Sequence, residues 1–184
     1  MILAVDQGTS STKATLFDRH GAAVTSASVP LGQAHPRPGW VQQDAVEILD
    51  GVRQVIAEIA ADHEIEAVAL STQRESALVW DRATGEPVAN AIVWQDRRTA
   101  GACDRLRDAG RASMIAERTG LELDPYFSST KLQWLLDHVP GARGRAEKGE
   151  LAFGTVDSYL VYRLCGRHVT DTGNAARTML FNIE

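Results

Sequence analysis

Apolar and polar positions divide the chain into short blocks. Met1–Val5 and Ala14–Phe17 are apolar runs of strand length, rich in Ile, Leu, Val and Phe, and Ala22–Val29 continues as a third after the turn Asp18-Arg19-His20-Gly21. From Asp44 the spacing changes. Val46, Leu49, Val52, Ile56 and Ile59 recur at intervals of three and four, which predicts a helix capped by Asp44, running to about Asp62 and buried along that stripe. Ile65–Leu70 has the pattern of a buried strand. Ala77–Trp80 predicts another, which Thr84-Gly85-Glu86-Pro87 turns into Ala91–Trp94. Helical spacing returns over about Arg98–Leu106, more loosely over Ala112–Arg118, and again over Lys131–His138. Ser128 or Ser129 is the expected cap of this last helix, and Leu132, Leu135 and Leu136 its buried positions. Gly141–Gly149 is polar and basic and reads as a surface turn. Leu151–Gly154 reads as extended. Val156–Leu164 reads as a helix with Asp157 in its first turn, where the dipole favours negative charge. Thr170–Arg177 is polar, and Met179–Phe181 is expected to be extended.

Hairpin strands followed by helix–strand alternation point to an α/β domain with a mixed central sheet flanked by helices. Ligands of such sheets gather at the carboxyl ends of strands. Three expected strand ends carry polar clusters: Asp6-Gln7, Gln73-Arg74-Glu75 and Gln95-Asp96-Arg97. With 184 residues and 44% hydrophobic content the chain can build a packed core, since a chain of roughly 150 residues buries about 70% of its unfolded surface. A net charge of −5 makes nucleic acid an unsuitable partner. No apolar run approaches the roughly 20 residues of a membrane span, and the first residues have no signal-peptide character. Cys103 and Cys165 are far apart and in helical patterns, consistent with reduced thiols in a cytoplasmic protein. The chain stops within the apolar Thr178–Glu184 stretch, as a piece of something longer would.

The chemistry concentrates in Asp6-Gln7-Gly8-Thr9-Ser10-Ser11-Thr12-Lys13. One carboxylate, one glycine, four hydroxyls and one lysine lie between two strands, able to present N–H groups, hydroxyls and an ammonium to a polyphosphate and a carboxylate to its magnesium. A P-loop is excluded. Lys13 stands where G-x-x-x-x-G-K-[ST] needs its second glycine, and Thr12–Phe17 is β-branched and apolar rather than helical. On its own the stretch is equally an ordinary Ser/Thr-rich hairpin turn. Gln73-Arg74-Glu75 can grip a polyol, with the carboxylate accepting from hydroxyls and the guanidinium donating; a surface ion pair is the plainer alternative. Trp94 can form an apolar wall or pack in a core, and Tyr126 can donate its hydroxyl or plug a gap. Trp40 reads as a loop anchor and Asp157 as a helix-start carboxylate. The five histidines lack metal-ligand spacing.

Taken together, these motifs resemble the FGGY carbohydrate kinases. The resemblance rests on Asp6–Ala14, Pro38-Gly39-Trp40-Val41, Gln73-Arg74-Glu75, Asn90–Thr99, Leu123–Phe127, Gly154–Ser158, Val169-Thr170-Asp171 and Asn174–Ile183, all in family order. Tyr126–His138 fits a family signature, with Lys131 and Trp134 in place. The resemblance implies a ribonuclease H-like, actin-like ATPase fold and ATP- and magnesium-dependent phosphorylation of glycerol or a similar polyol. It implies that residues 1–184 are the N-terminal, substrate-binding domain, with the nucleotide-binding domain outside this chain. By position it implies polyol contacts at Arg74, Glu75 and Tyr126, with Trp94 behind the carbons. It further implies phosphate contacts at Thr9, Ser10, Ser11 and Lys13, and a magnesium-linked carboxylate at Asp6. No catalytic base falls among these residues; it is expected beyond Glu184. The full-length protein is expected to be a cytoplasmic homo-oligomer. Where Lys13 stands, glycerol-specific members of the family often have arginine; lysine keeps the charge but loses the bidentate fork. A pentulose or tetritol kinase, or a non-catalytic actin-like module, are the competing assignments.

Overall fold

The computed structural model describes residues 1–184, which form two compact units. The first comprises Met1–Gln33 and Asp44–Gln73, the second Ala34–Gln43 and Arg74–Glu184.

In the first unit, β1 (Ile2–Gln7), β2 (Ser11–Phe17) and β3 (Ala23–Pro30) form an antiparallel meander, and β5 (Ala67–Thr72) adds in parallel to β1. The order is β3-β2-β1-β5, the expected mixed sheet. Helix α1 (Ala45–Ala60) covers one face of it. Asp44 caps the helix as expected, its side chain accepting from the Val46 N–H at 2.8 Å. Alternation along the strands turns Leu3, Val5, Ala14, Leu16 and Ala27 toward the core, against Ile48, Leu49, Val52, Val55 and Ile59 of α1. Gly51 brings the helix close: a Cβ there would lie 3.2 Å from Val29 Cγ1.

Two expectations change here. The buried stripe of α1 runs through Ala45, Ile48 and Val55, while Val46 is exposed and Ile56 only half-buried. The helix is rotated from the expected face because small Ala45 packs inward and the bulkier Val46 does not. The strand expected at Ile65–Leu70 lies at Ala67–Thr72 and is not buried. It is the sheet's edge strand, and Val68 is 48% exposed.

The second unit is built on an antiparallel sheet, β4 (Gln42–Gln43), β7 (Ala91–Ile92), β6 (Ala77–Asp81) and β8 (Leu151–Thr155), in the order β4-β7-β6-β8. Its helices are α2 (Ala100–Asp108), α3 (Ala112–Thr119), α4 (Ser128–His138), α5 (Ala142–Glu147), α6 (Val156–Cys165) and α7 (Thr172–Ala176). Strand β6 is buried from Ala77 to Trp80 because both faces are covered. Ala77 and Val79 pack with Leu132 and Leu135 of α4, and Trp80 packs on Tyr159 of α6, ring centroids 5.5 Å apart.

Local details differ from the sequence reading. Residues 141–149 hold the helix α5 rather than a plain turn: Ala142 is buried and Arg145 pairs with Asp81 at 2.5 Å. Helix α4 starts at Ser128, and neither serine caps it; Phe127 stands at the N-cap position with no side-chain bond. Leu136 is only half-buried. The strand expected at Ala91–Trp94 shortens to two residues, and Met179–Phe181 forms no strand, Met179 having φ 60°. Cys103 is buried, Cys165 exposed, and both are free thiols. No helix is long and apolar enough to cross a membrane.

Candidate functional site

In the first unit, the Asp6–Lys13 stretch is the expected strand–turn–strand hairpin. Gln7 pairs with Thr12, and the Gly8 N–H bonds the Ser11 carbonyl at 2.9 Å, closing the turn over Gly8–Ser11. Asp6 and Lys13 stand directly opposite each other on the face away from α1, and both are exposed. Ser10 is exposed at the tip; Thr9 and Ser11 are half-buried. The hairpin is braced from behind by two buried glutamines that sequence reasoning did not assign. Gln7 Nε2 donates to the Gly8 carbonyl at 2.7 Å, and Gln73 Nε2 donates to Gln7 Oε1 at 3.3 Å. The Gln73 N–H also bonds the Gln7 carbonyl at 2.7 Å, so the end of β5 is pinned to the start of the turn.

In the second unit, Glu75 is the centre. It is 3% exposed, and its backbone is left-handed, φ 63°. A non-glycine residue held there costs about 1–3 kcal/mol and persists only where its surroundings over-determine it. Arg177 Nε donates to Glu75 Oε1 at 2.5 Å. That bond is the main reason the Arg177 guanidinium is held above its usual range. The same guanidinium lies 5.6 Å from the Tyr126 ring centroid and 5.1 Å from that of Phe127. Tyr126 meets Trp94 edge-on at 5.7 Å, and the Trp94 backbone N–H donates to Ser76 Oγ at 3.2 Å. Glu75, Tyr126 and Trp94 are thus linked through Arg177 and ring contacts: a carboxylate beside an aromatic wall. Arg74, adjacent in sequence, is exposed.

Arg177 reaches Glu75 on a segment docked at three points. The Ser129 N–H bonds the Thr178 carbonyl at 2.9 Å, Met179 packs with Cys103, Leu123 and Phe127, and the Ile183 N–H bonds the Arg118 carbonyl at 2.9 Å. No sequence signal marks Arg177 as the partner of Glu75, 102 residues away. Lys131 was legible only as part of a signature. A lysine three residues after Ser128 and four before Leu135 lies on the buried side of α4, and a charge on a buried stripe demands partners.

The loop through Trp40 is anchored, as expected. Arg98 stacks over the Trp40 ring at 3.9 Å and over Trp134 at 4.7 Å, and its guanidinium grips buried Asp96 at 2.8 Å. Asp96 also accepts from the Val41 N–H at 2.6 Å. Gly39, at φ 77°, supplies the turn before Trp40. Asp157 has a structural part: it accepts from Thr155 and, at 2.6 Å, from Thr170, tying the start of α6 to the following loop.

Comparison with known proteins gives one family. The domain described as "FGGY family of carbohydrate kinases, N-terminal domain" matches residues 1–184. A glycerol kinase of Aromatoleum aromaticum is 57% identical over 191 residues and one of Janthinobacterium sp. 52% over 188; each match covers 100% of this chain and 38% of the relative. The chain therefore spans well under half the length of these curated relatives. Among solved structures, the glycerol kinase of Plasmodium falciparum with ADP superposes with a TM-score of 0.93 at 30% identity, covering 99% of this chain and 38% of that one. Gluconate kinase from Lactobacillus acidophilus gives 0.89 at 29%, covering 98% and 36%. The fold is accordingly the actin-like, ribonuclease H-like one these kinases share, and the chain belongs to the FGGY family of carbohydrate kinases as their N-terminal domain.

Proposed function

We propose that residues 1–184 form the substrate-binding domain of a glycerol kinase, which transfers the γ-phosphoryl group of ATP to a terminal hydroxyl of glycerol, giving glycerol 3-phosphate. The observation that carries this is Glu75: a buried carboxylate in a left-handed backbone, with one oxygen on Arg177, beside the Trp94–Tyr126 aromatic pair. A carboxylate accepts from two hydroxyls at once, Arg74 and the Tyr126 hydroxyl donate, and Trp94 covers the carbons. Arg177 holds one oxygen of Glu75, so the carboxylate is aimed before the polyol arrives.

The hairpin takes the phosphate role. Thr9, Ser10, Ser11 and Lys13 supply hydroxyls and one cation. No group of three or more acidic, histidine or cysteine side chains forms a metal cage in this chain. One exposed carboxylate, Asp6, fits magnesium, which is commonly held by one or two carboxylates together with substrate phosphates and waters. Bound there, magnesium would neutralise phosphate charge. This chain's own work is to orient the hydroxyl, exclude water from the carbons and hold the phosphates. The base that takes the hydroxyl proton as the oxygen attacks phosphorus and ADP departs is assigned to the remainder of the full-length protein. The 184-residue chain alone is expected to show no glycerol-dependent ADP release. We place the full-length protein in the cytoplasm as a homo-oligomer.

A panel of glycerol, erythritol, xylitol, D-xylulose and gluconate, assayed by ADP release from the full-length protein, tests the reading. Glycerol is expected to give the highest kcat/KM. A pentulose or gluconate ahead of glycerol by about tenfold reassigns the substrate within the family, a discrimination that one unpaired buried hydrogen-bonding group is large enough to produce. ATP binding with no ADP release in the presence of any polyol favours the non-catalytic module.

A further inference from the structure

Lys131 is among the largest fully buried side chains of the protein, and it lies under the candidate polyol site. Its Nζ donates to two backbone carbonyls, that of Glu75 at 3.2 Å and that of Tyr126 at 2.6 Å. These are the two residues that carry the carboxylate and the phenol assigned to the polyol. Ser128 Oγ donates to the same Glu75 carbonyl at 3.1 Å. The left-handed backbone of Glu75 is therefore held from one side by two donors of α4 and from the other by Arg177 on its carboxylate. An apolar side chain at position 131 would fill the space without a buried cation, so packing alone does not call for lysine. What the ammonium adds is a single rigid node that joins the Glu75 and Tyr126 backbones.

We propose that Lys131 is a positioning residue for polyol recognition: it fixes the separation of Glu75 and Tyr126 and keeps Glu75 in the conformation that aims its carboxylate. The charged groups facing the ammonium are the carboxylates of Asp96, Glu75 and Asp124, which favour its charge, and the guanidinium of Arg98, which opposes it. Burial dominates, pulling the ammonium down to about 7. Its charge state thus changes near neutral pH, and its grip on the two carbonyls weakens as the proton leaves.

The inference rests on the polyol-binding reading of this site, and the test separates the two. In the full-length protein, Lys131→Met is expected to raise KM for glycerol about 10- to 100-fold while KM for ATP stays within about twofold, the range that charge-assisted hydrogen bonds command. Ser128→Ala, which removes only the second donor, is expected to raise glycerol KM about threefold to tenfold, the range of one neutral hydrogen bond, and serves if Lys131→Met does not fold. The glycerol KM of the wild type is expected to rise above pH about 7, and that of Lys131→Met to be flat with pH. A folded Lys131→Met with glycerol KM within twofold of wild type overturns the proposal, as does an unchanged KM in Ser128→Ala. A crystal structure of Lys131→Met decides it independently of substrate: Glu75 relaxed out of its left-handed conformation supports positioning, and Glu75 unchanged refutes it. Wild-type protein that phosphorylates no polyol overturns the reading of the site instead.

Discussion

The Asp96–Arg98 pair that anchors the Trp40 loop makes a sharp energetic prediction. Asp96 is fully buried, and the Arg98 side chain is 2% exposed. The carboxylate accepts from the Arg98 guanidinium at 2.8, 2.9 and 3.0 Å, from the Arg98 N–H at 2.8 Å and from the Val41 N–H at 2.6 Å. Asp96→Ala strands a guanidinium between two tryptophan rings and leaves two N–H groups without their acceptor. Breaking one side of a buried pair costs about 3–5 kcal/mol, and the stranded N–H groups push the value to the upper half of that range. For a chain of this size, about 4 kcal/mol lowers Tm by about 8–16 °C. Arg98→Met is expected to cost less, because it removes the cation and leaves a carboxylate that still has two N–H partners. The Asp96→Ala/Arg98→Met double variant is expected to recover at least about 1.5 kcal/mol of the summed single losses. All four tryptophans, Trp40, Trp80, Trp94 and Trp134, lie in the second unit, so fluorescence during urea unfolding reports that unit specifically. Asp96→Ala costing under about 1 kcal/mol, with coupling to Arg98 under about 0.5, would refute the view that this pair holds the loop, since such values belong to exposed pairs.

Three further outcomes follow from named contacts. Glu75→Gln keeps the shape but loses the charge, and is expected to raise glycerol KM in the full-length protein about 10- to 150-fold, the worth of one charged hydrogen bond, in steady-state assays. Lys131 titrates at about 7 in the folded protein against 10.5 in the open chain, so above pH 7 the unfolded state binds the extra proton. Stability is therefore expected to rise with pH by about 2 kcal/mol between pH 7 and 9, and Lys131→Met to lack that rise in urea titrations. On α1, Ile48→Ala is expected to cost about 2–5 kcal/mol and Val46→Ala under about 0.5, read from thermal unfolding by circular dichroism.

What could be read in advance follows physical range. The hairpin at Asp6–Lys13, the α/β class, the Asp44 cap and the position of most helices depend on neighbours within a few residues, and all were legible. Which face of α1 is buried was not, because Ala45 and Val46 are both apolar and only packing against β1, β2 and β3 chooses between them. The edge position of β5 was hidden for a related reason: an apolar run does not state whether a strand pairs on one side or two. Helix α5 looked like a turn because Gly144 interrupts it, and the buried Ala142 and the Arg145–Asp81 pair that support it are tertiary. At the site, residue type and family position mark Arg74, Glu75, Trp94 and Tyr126. The part played by the groups that hold them is not legible: Lys131 lies 56 residues from Glu75 and Arg177 102, and no local pattern joins them.

The most direct test of the account is a crystal structure of the full-length protein with glycerol bound. The account predicts glycerol hydroxyls within about 2.6–3.2 Å of the Glu75 carboxylate and the Tyr126 hydroxyl, the distances of ordinary hydrogen bonds, with its carbons against the Trp94 ring. Glycerol bound away from Glu75, which stays paired to Arg177 alone while the protein turns glycerol over, would contradict it.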